Sequence, residues 1–324
     1  MKLFLKLISF TIGCCIIVIL AVAGNSKWLD ASAKYIPSPY RYGDLYLLSS
    51  MPGYKIKIQS TIKSPVTTQN KNTTLTLIGD SYSDKFDSTL FNSGSYHFIH
   101  WDNIPDTIPA LDGNKKNILI IETTERSVRW RFTKNNLLTI GKKMEPTTQV
   151  SDIELSAEVN LQYMLTHLDW ELPFKELKAS IYLKYFDKFN EMVSKPDGSG
   201  RLYLNETLDP GNSFSSFNPV DDTEIKSLVE NLDATSAQLS ALGFDEVYVS
   251  IIPNAASIYK RSDLPYNHLI ERIQQHPEVK FKYIDVYGSF KKEKNSVFLC
   301  NDSHWNDLGK MIWLIKTNNL LREK

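Results

Sequence analysis

Short apolar runs broken by turn residues, with helical spacing between them, organise most of this chain. Thr73 to Ile78 (TTLTLI) is a β-rich run that stops abruptly at Gly79-Asp80-Ser81. Tyr82 to Phe91 is expected to continue as a helix, so the local order is strand, tight turn, helix. Tyr96 to Trp101 reads as a second short strand. Asn117 to Glu122 (NILIIE) reads as a stronger one, a parallel strand buried on both faces. Ser156 to Phe189 has helical spacing and many aromatics, interrupted at Pro173, and Gly198 to Pro219 reads as a loop. Asp221 to Leu242 is an amphipathic helix ended by Gly243 in the position of a C′ glycine. Glu246 to Ile252 is a strand that stops at Pro253-Asn254. A helix over Leu264 to Gln275 and a strand over Phe281 to Val286 follow. Val297 to Cys300 is a short strand leading into Asn301-Asp302-Ser303-His304, and Asn306 caps a last helix from Asp307 to Leu321. Alternation of this kind implies an α/β fold with a mostly parallel sheet and helices on both faces. Sites in such sheets gather at the carboxyl ends of the strands.

Two regions stand outside that pattern. Leu7 to Gly24 is apolar on every face, follows Lys2 and Lys6, and gives way to polar sequence at Asn25. A positive segment before an apolar core directs export. Ala21-Val22-Ala23 fits a signal-peptidase site, and the run also fits an uncleaved membrane helix, which its length favours. In either case the body lies outside the cytoplasmic membrane. Lys27 to Asn72 is rich in Pro, Ser and Tyr and reads as a stalk with edge strands near Asp44–Leu48 and Tyr54–Ile58. The expected organisation is a signal anchor or signal peptide over 1–24, a stalk over 25–72, and a main domain over 73–324 with an insertion at about 131–243.

Composition narrows the chemistry. The 324 residues are 42% hydrophobic, enough for a full core, and Lys+Arg and Asp+Glu balance at 37 each. Nothing in that balance suggests nucleic acid. Cys14 and Cys15 lie in the apolar leader, which leaves Cys300 alone in the body and no intrachain disulfide to expect there. No metal-ligand spacing occurs, and neither a metal nor a cofactor is expected.

Two clusters carry candidate chemistry. Ser81, on a sharp turn after a strand, would present its hydroxyl at the carboxyl edge of the sheet. The N–H groups of the expected helix would face an oxyanion there. Ser81 would equally serve as the N-cap of that helix. The second cluster is Asp302-x-His304-Trp305-Asn306. A serine nucleophile needs a base within reach, and the base needs an orienting acceptor. Asp and His two apart on an extended segment project to the same side. The bland alternative is a surface loop in which His304 caps and Trp305 packs. Both clusters map to one edge of the sheet. The other histidines lie in or beside predicted strands and helices.

Ile78-Gly79-Asp80-Ser81-Tyr82-Ser83 resembles the first block of the SGNH (GDSL) hydrolases. Asp302-Ser303-His304-Trp305-Asn306 resembles the Asp-x-His-Trp signature of the alginate O-acetyltransferase type, the AlgX/AlgJ-like SGNH proteins. Ile120 to Arg126 is similar to the strand-end Glu/Arg segment of that group. The resemblance covers about 73–130 and 244–320. It implies a flavodoxin-like three-layer α/β/α fold with a helical insertion and an N-terminal membrane helix. It also implies acyl transfer, with Ser81 as nucleophile, His304 as base and Asp302 as its orienting acid. Its expected substrates are a polysaccharide and an acyl donor, with a membrane-bound O-acyltransferase as a partner. Asp80, Tyr82, Asn103, Arg126 and Trp305 are candidates for oxyanion or substrate contacts, although Arg126 is equally expected to pair with Glu122 or Glu125. Asp302 stands two residues before His304, where ordinary SGNH hydrolases place Asp at three, the place of Asn301. The Asp-x-His segment follows the serine, whereas in AlgX-like proteins it precedes it. The Gly-x-Asn-Asp block is not evident. Transferase and esterase chemistry stay open, as does a non-catalytic glycan-binding or scaffold role. The aromatics Trp130, Tyr163, Trp170, Tyr182 and Tyr185 suit either sugar stacking or the packing of a helical subdomain.

Overall fold

A computed structural model of the chain describes residues 8, 10–18, 39–66, 70–101, 111–132, 171–259, 265–293 and 295–322. The chain divides into two compact units, 1–58 with 147–189, and 59–146 with 190–324.

The second unit is built on five parallel strands, β1 (Thr73–Gly79), β2 (Ser95–His100), β3 (Lys116–Thr124), β4 (Glu246–Ile252) and β5 (Lys282–Tyr283). Their order in the sheet is β2-β1-β3-β4-β5. The period-2 alternation of the strands sorts their side chains into two cores. Leu75, Leu77, Ile118, Ile120 and Ile252 meet Phe290, Trp305, Trp313 and Leu314 on one face. Ile78, Leu119, Ile121, Val249 and Ile251 meet Leu228, Val229, Leu232 and Ile270 on the other. Helices Tyr287–Lys292 and Asp307–Arg322 therefore cover the first face, and helices Asp222–Ala241 and Leu269–Gln274 the second. Helix Asp222–Ala241, which falls within 131–243, is thus a crossover connection of the sheet.

Caps fix where these helices begin. The Asp221 side chain accepts from Glu224 N at 2.7 Å. Asn306 Oδ1 accepts from the N–H groups of Leu308 and Gly309 at 3.0 and 3.1 Å. That second helix packs so closely on the preceding segment that a Cβ at Gly309 would collide with the Val297 carbonyl.

Several expected elements take another form. Tyr82–Phe91 is not a helix: Ser81 to Lys85 are turns, and a 3₁₀ turn spans Ser88–Leu90. Its short polar side chains compete with helix bonds. Asp80 Oδ1 takes the N–H of Tyr82 at 3.1 Å, and Asp87 Oδ1 takes that of Thr89 at 2.8 Å. Val297–Cys300 contributes one antiparallel bridge, Phe298 to Trp305, and the strand in Phe281–Val286 shrinks to Lys282–Tyr283. The predicted helix over Leu264–Gln275 spans Leu269–Gln274.

In the first unit, the stretch read as an edge strand near Asp44–Leu48 is a helix, Asp44–Ser49. Its buried Leu45, Tyr46 and Ser49 have helical spacing over too short a span to separate from alternation. Tyr54–Ile58 forms no strand, and a 3₁₀ turn covers Pro52–Tyr54. Pro173 stands in the first turn of helix Leu172–Phe186, where a residue without an N–H is tolerated, and the part of the expected helical stretch before residue 171 lies outside the described residues. Tyr46 Oη donates to Glu176 Oε1 at 2.6 Å, and Lys55 Nζ lies 2.9 Å from the same oxygen. Tyr182 and Tyr185 are exposed on helix Leu172–Phe186, while Tyr163 and Trp170 lie outside the described residues. Within the leader, residues 10–18 are helical. Among the described residues no helix is long and apolar enough to cross a membrane, and most of the remaining leader lies outside them.

Candidate active site

All of the following contacts lie within the second unit. Ser81 sits on the turn that leaves β1 and is exposed. His304 lies at the end of a loop closed by Leu299 N to His304 O at 3.2 Å and Asn306 N to Val297 O at 3.0 Å. Arg201 braces this loop from behind. It donates to the Leu299 carbonyl, to Phe298 O at 3.2 Å and to Ser296 Oγ at 2.6 Å.

The serine and the loop meet. Ser81 Oγ is 2.8 Å from His304 Nε2, and His304 Nδ1 is 2.6 Å from Asp302 Oδ1. The same Asp302 oxygen accepts the backbone N–H of His304 at 2.8 Å. The i–2 acid is thus wrapped around the histidine it pairs with. Asp302 is 6% exposed and the His304 side chain 26% exposed. With Nδ1–H donated to Asp302, Nε2 is left as the acceptor for the Ser81 hydroxyl. A serine, base and orienting acid in that order can activate the hydroxyl for attack on an electrophilic carbon.

Tyr82 and Trp305 lock the two segments together. Tyr82 Oη donates to Ser303 O at 2.6 Å, and its ring centroid lies 4.6 Å from that of His304. Trp305 Nε1 donates back to Tyr82 O at 3.1 Å. Trp305 is fully buried, so its side chain packs and does not reach substrate. Asp80 holds Tyr82 N with one oxygen and Arg131 Nη1 with the other, the latter at 3.2 Å, which makes it a brace of the turn. Arg126 pairs with neither Glu122 nor Glu125. Its Nε lies 3.8 Å from Glu206 Oε1, and its guanidinium stands 6.0 Å over the Tyr82 ring, at the edge of the site. Both carboxylates are committed elsewhere: Glu125 Oε2 takes Asn254 N at 2.8 Å and the Ser257 hydroxyl. Asn103 lies outside the described residues. No helix begins at Ser81, so the expected helix-terminal oxyanion donors are not formed there. Trp130, of the aromatics considered for sugar stacking, is exposed.

Sequence reasoning did not single out Glu122 as part of the site. It ends the apolar run of β3, is fully buried, and accepts from Ser83 Oγ at 2.8 Å and Asp80 N at 3.2 Å with one oxygen. A charged residue closing a strand buried on both faces was the available signal. Burial, reinforced by the Asp80 charge, raises its pKa from 4.5 to about 8, against the pull of its two hydrogen bonds and of Arg131. Burial likewise raises Glu125 and lowers Arg131. A carboxyl raised in the folded state holds its proton more tightly there than in the unfolded chain. Its contribution to stability is therefore complete below about 4.5 and is lost as pH rises through about 8. The difference in melting temperature between wild type and Glu122→Gln should drift against the wild type across that window. A difference independent of pH would contradict the shift.

The chain was compared with protein-family models, with curated proteins and with solved structures, and it matches none of them.

Proposed function

We propose that this protein is an exported serine-dependent O-acyltransferase or esterase of the SGNH type, acting on an envelope or exported polysaccharide. The observation that carries the reading is the continuous hydrogen-bond chain from Ser81 Oγ through His304 to Asp302, at 2.8 and 2.6 Å. The strand order 2-1-3-4-5 supports it, since this is the flavodoxin-like order, with its switch point between β1 and β3. The Gly79-Asp80-Ser81 turn leaves β1 at that switch point.

In the proposed reaction His304 Nε2 takes the Ser81 proton while Oγ bonds to the ester carbonyl carbon. The tetrahedral intermediate collapses, the ester C–O bond breaks, and the departing alkoxide takes the proton from His304. Water or a sugar hydroxyl then gives its proton to His304 and attacks the acyl carbon, the bond from that carbon to Ser81 Oγ breaks, and Oγ takes the proton back from His304. Asp302 holds the productive tautomer throughout. Transfer and hydrolysis differ only in the acceptor, and the resemblance to the alginate O-acetyltransferase type favours the sugar. The Lys2 and Lys6 flank and the apolar run to Gly24 support an N-terminal anchor with the body outside the cytoplasmic membrane. A membrane-bound O-acyltransferase would be the natural source of the acyl group.

The non-catalytic scaffold reading draws support from one observation, the lack of a helix N-terminus at Ser81. Incubating the full-length protein with p-nitrophenyl acetate separates the two. An esterase or transferase releases nitrophenolate, and an added polysaccharide acceptor diverts acetyl to its hydroxyls. A scaffold releases none above the uncatalysed rate.

A further inference from the structure

We propose that Glu122 is a positioning residue that holds the Ser81 turn in register with His304. This inference rests on the serine-dependent reading above.

One carboxylate oxygen of Glu122 meets both flanks of the serine. Oε2 takes the Asp80 N–H immediately before Ser81 at 3.2 Å and the Ser83 hydroxyl two residues after it at 2.8 Å. The residue before Asp80 is fitted to the same oxygen: a Cβ at Gly79 would lie 2.7 Å from it. Glu122 is itself held in place. It lies within β3, beside β1, and its carbonyl takes Trp101 Nε1 at 2.7 Å. The Arg131 guanidinium stands 4.6 Å over that Trp101 ring and binds Asp80 at 3.2 Å, bracing the turn a second time. With no helix after Ser81 to fix its backbone, these contacts replace the hydrogen bonds that a first helical turn would supply.

As a stabilising group Glu122 is a poor choice. It is fully buried, and among the described residues its other oxygen, Oε1, has no hydrogen-bond partner. An orphaned buried carboxyl oxygen costs free energy that a leucine of similar volume would not incur. Within the turn, its bonds go to the two residues that bracket the nucleophile. The charged groups around it, Asp80 on the turn and Arg131 on helix Glu125–Arg131, act on the same segment, and Tyr96 on β2 lies within electrostatic range.

Fluorophosphonate labelling of Ser81 in the full-length protein tests this, with melting curves for each variant and p-nitrophenyl acetate kinetics alongside. Glu122→Leu should slow labelling about 100-fold, because a misplacement of about 1 Å costs that much. Ser83→Ala, which removes one bond and leaves the buried carboxyl in place, should slow it about 10-fold. Glu122→Gln, whose amide oxygen can take both donors, should stay within about 3-fold of wild type. The loss should fall on the acylation rate, with KM unchanged, and should persist well below each variant's melting temperature. Wild-type labelling rates in Glu122→Leu, or losses confined to KM or removed by cooling, would overturn the inference. Failure of the wild type itself to label would instead bring down the serine reading on which it rests.

Discussion

Ser81→Ala is expected to abolish fluorophosphonate labelling and to lower ester cleavage by up to roughly 10⁶, the scale seen when serine proteases lose their nucleophile. The folded state should be unaffected. Ser81 is exposed, and its Oγ contact is to His304 Nε2. The hydrogen bonds that shape the turn belong to Asp80, Tyr82 and Ser83 and survive the change. His304→Ala should come close to the same loss, because a serine hydroxyl without a base is a poor nucleophile. The measurement is the second-order labelling rate beside a melting curve. A Ser81→Ala protein that keeps full esterase activity would remove the serine mechanism altogether.

Asp302→Asn is expected to cost up to roughly 10⁴ in rate by analogy with serine proteases, with little change of geometry. Asp302 Oδ1 accepts from both the backbone N–H and Nδ1 of His304. An amide that turns its NH₂ to Nδ1 gives up the bond from His304 N, which the same oxygen accepts. That orientation leaves the proton on Nε2, which then points a donor at Ser81 in place of an acceptor. Asn301 is the useful contrast. It is 1% exposed and occupies the i–3 place, whereas the Nδ1 bond is made from the i–2 place. Asn301→Ala should therefore lower stability more than rate. If Asn301→Ala inactivated the enzyme while Asp302→Asn did not, the orienting acid would have been assigned to the wrong residue.

The fold was legible wherever burial on both faces leaves a plain apolar run. NILIIE and EVYVSII became β3 and β4, side by side and parallel, because such runs have no solvent-facing period to obscure them. The cap at Asn306 was legible for a local reason: its side chain bonds to N–H groups two and three residues ahead. The course of the chain after the Ser81 turn was not legible. Its helical spacing was genuine, but Asp80 and Asp87 capture backbone donors that a helix needs, and spacing does not record that competition. Asp44–Ser49 failed for a different reason, since six residues are too few to separate a period of 3.6 from one of 2. The meeting of Ser81 with His304 and Asp302 was expected from both segments lying at one sheet edge. Tyr82 and Trp305, within the motifs, join the two segments, and the bonds that brace each segment from behind come from Glu122, Arg131 and Arg201. Those bracing residues are far from the motif in sequence, and folding alone brings them there.

The most direct test of the central claim is to locate the covalent adduct. Full-length protein exposed to p-nitrophenyl acetate or a fluorophosphonate, quenched in acid and digested, should carry the acyl or phosphonyl group on the peptide containing Ser81. The neighbouring Ser83, buried and bonded to Glu122, should be unmodified. An adduct on Ser83 or elsewhere, or no adduct while nitrophenolate is still released, would contradict the account.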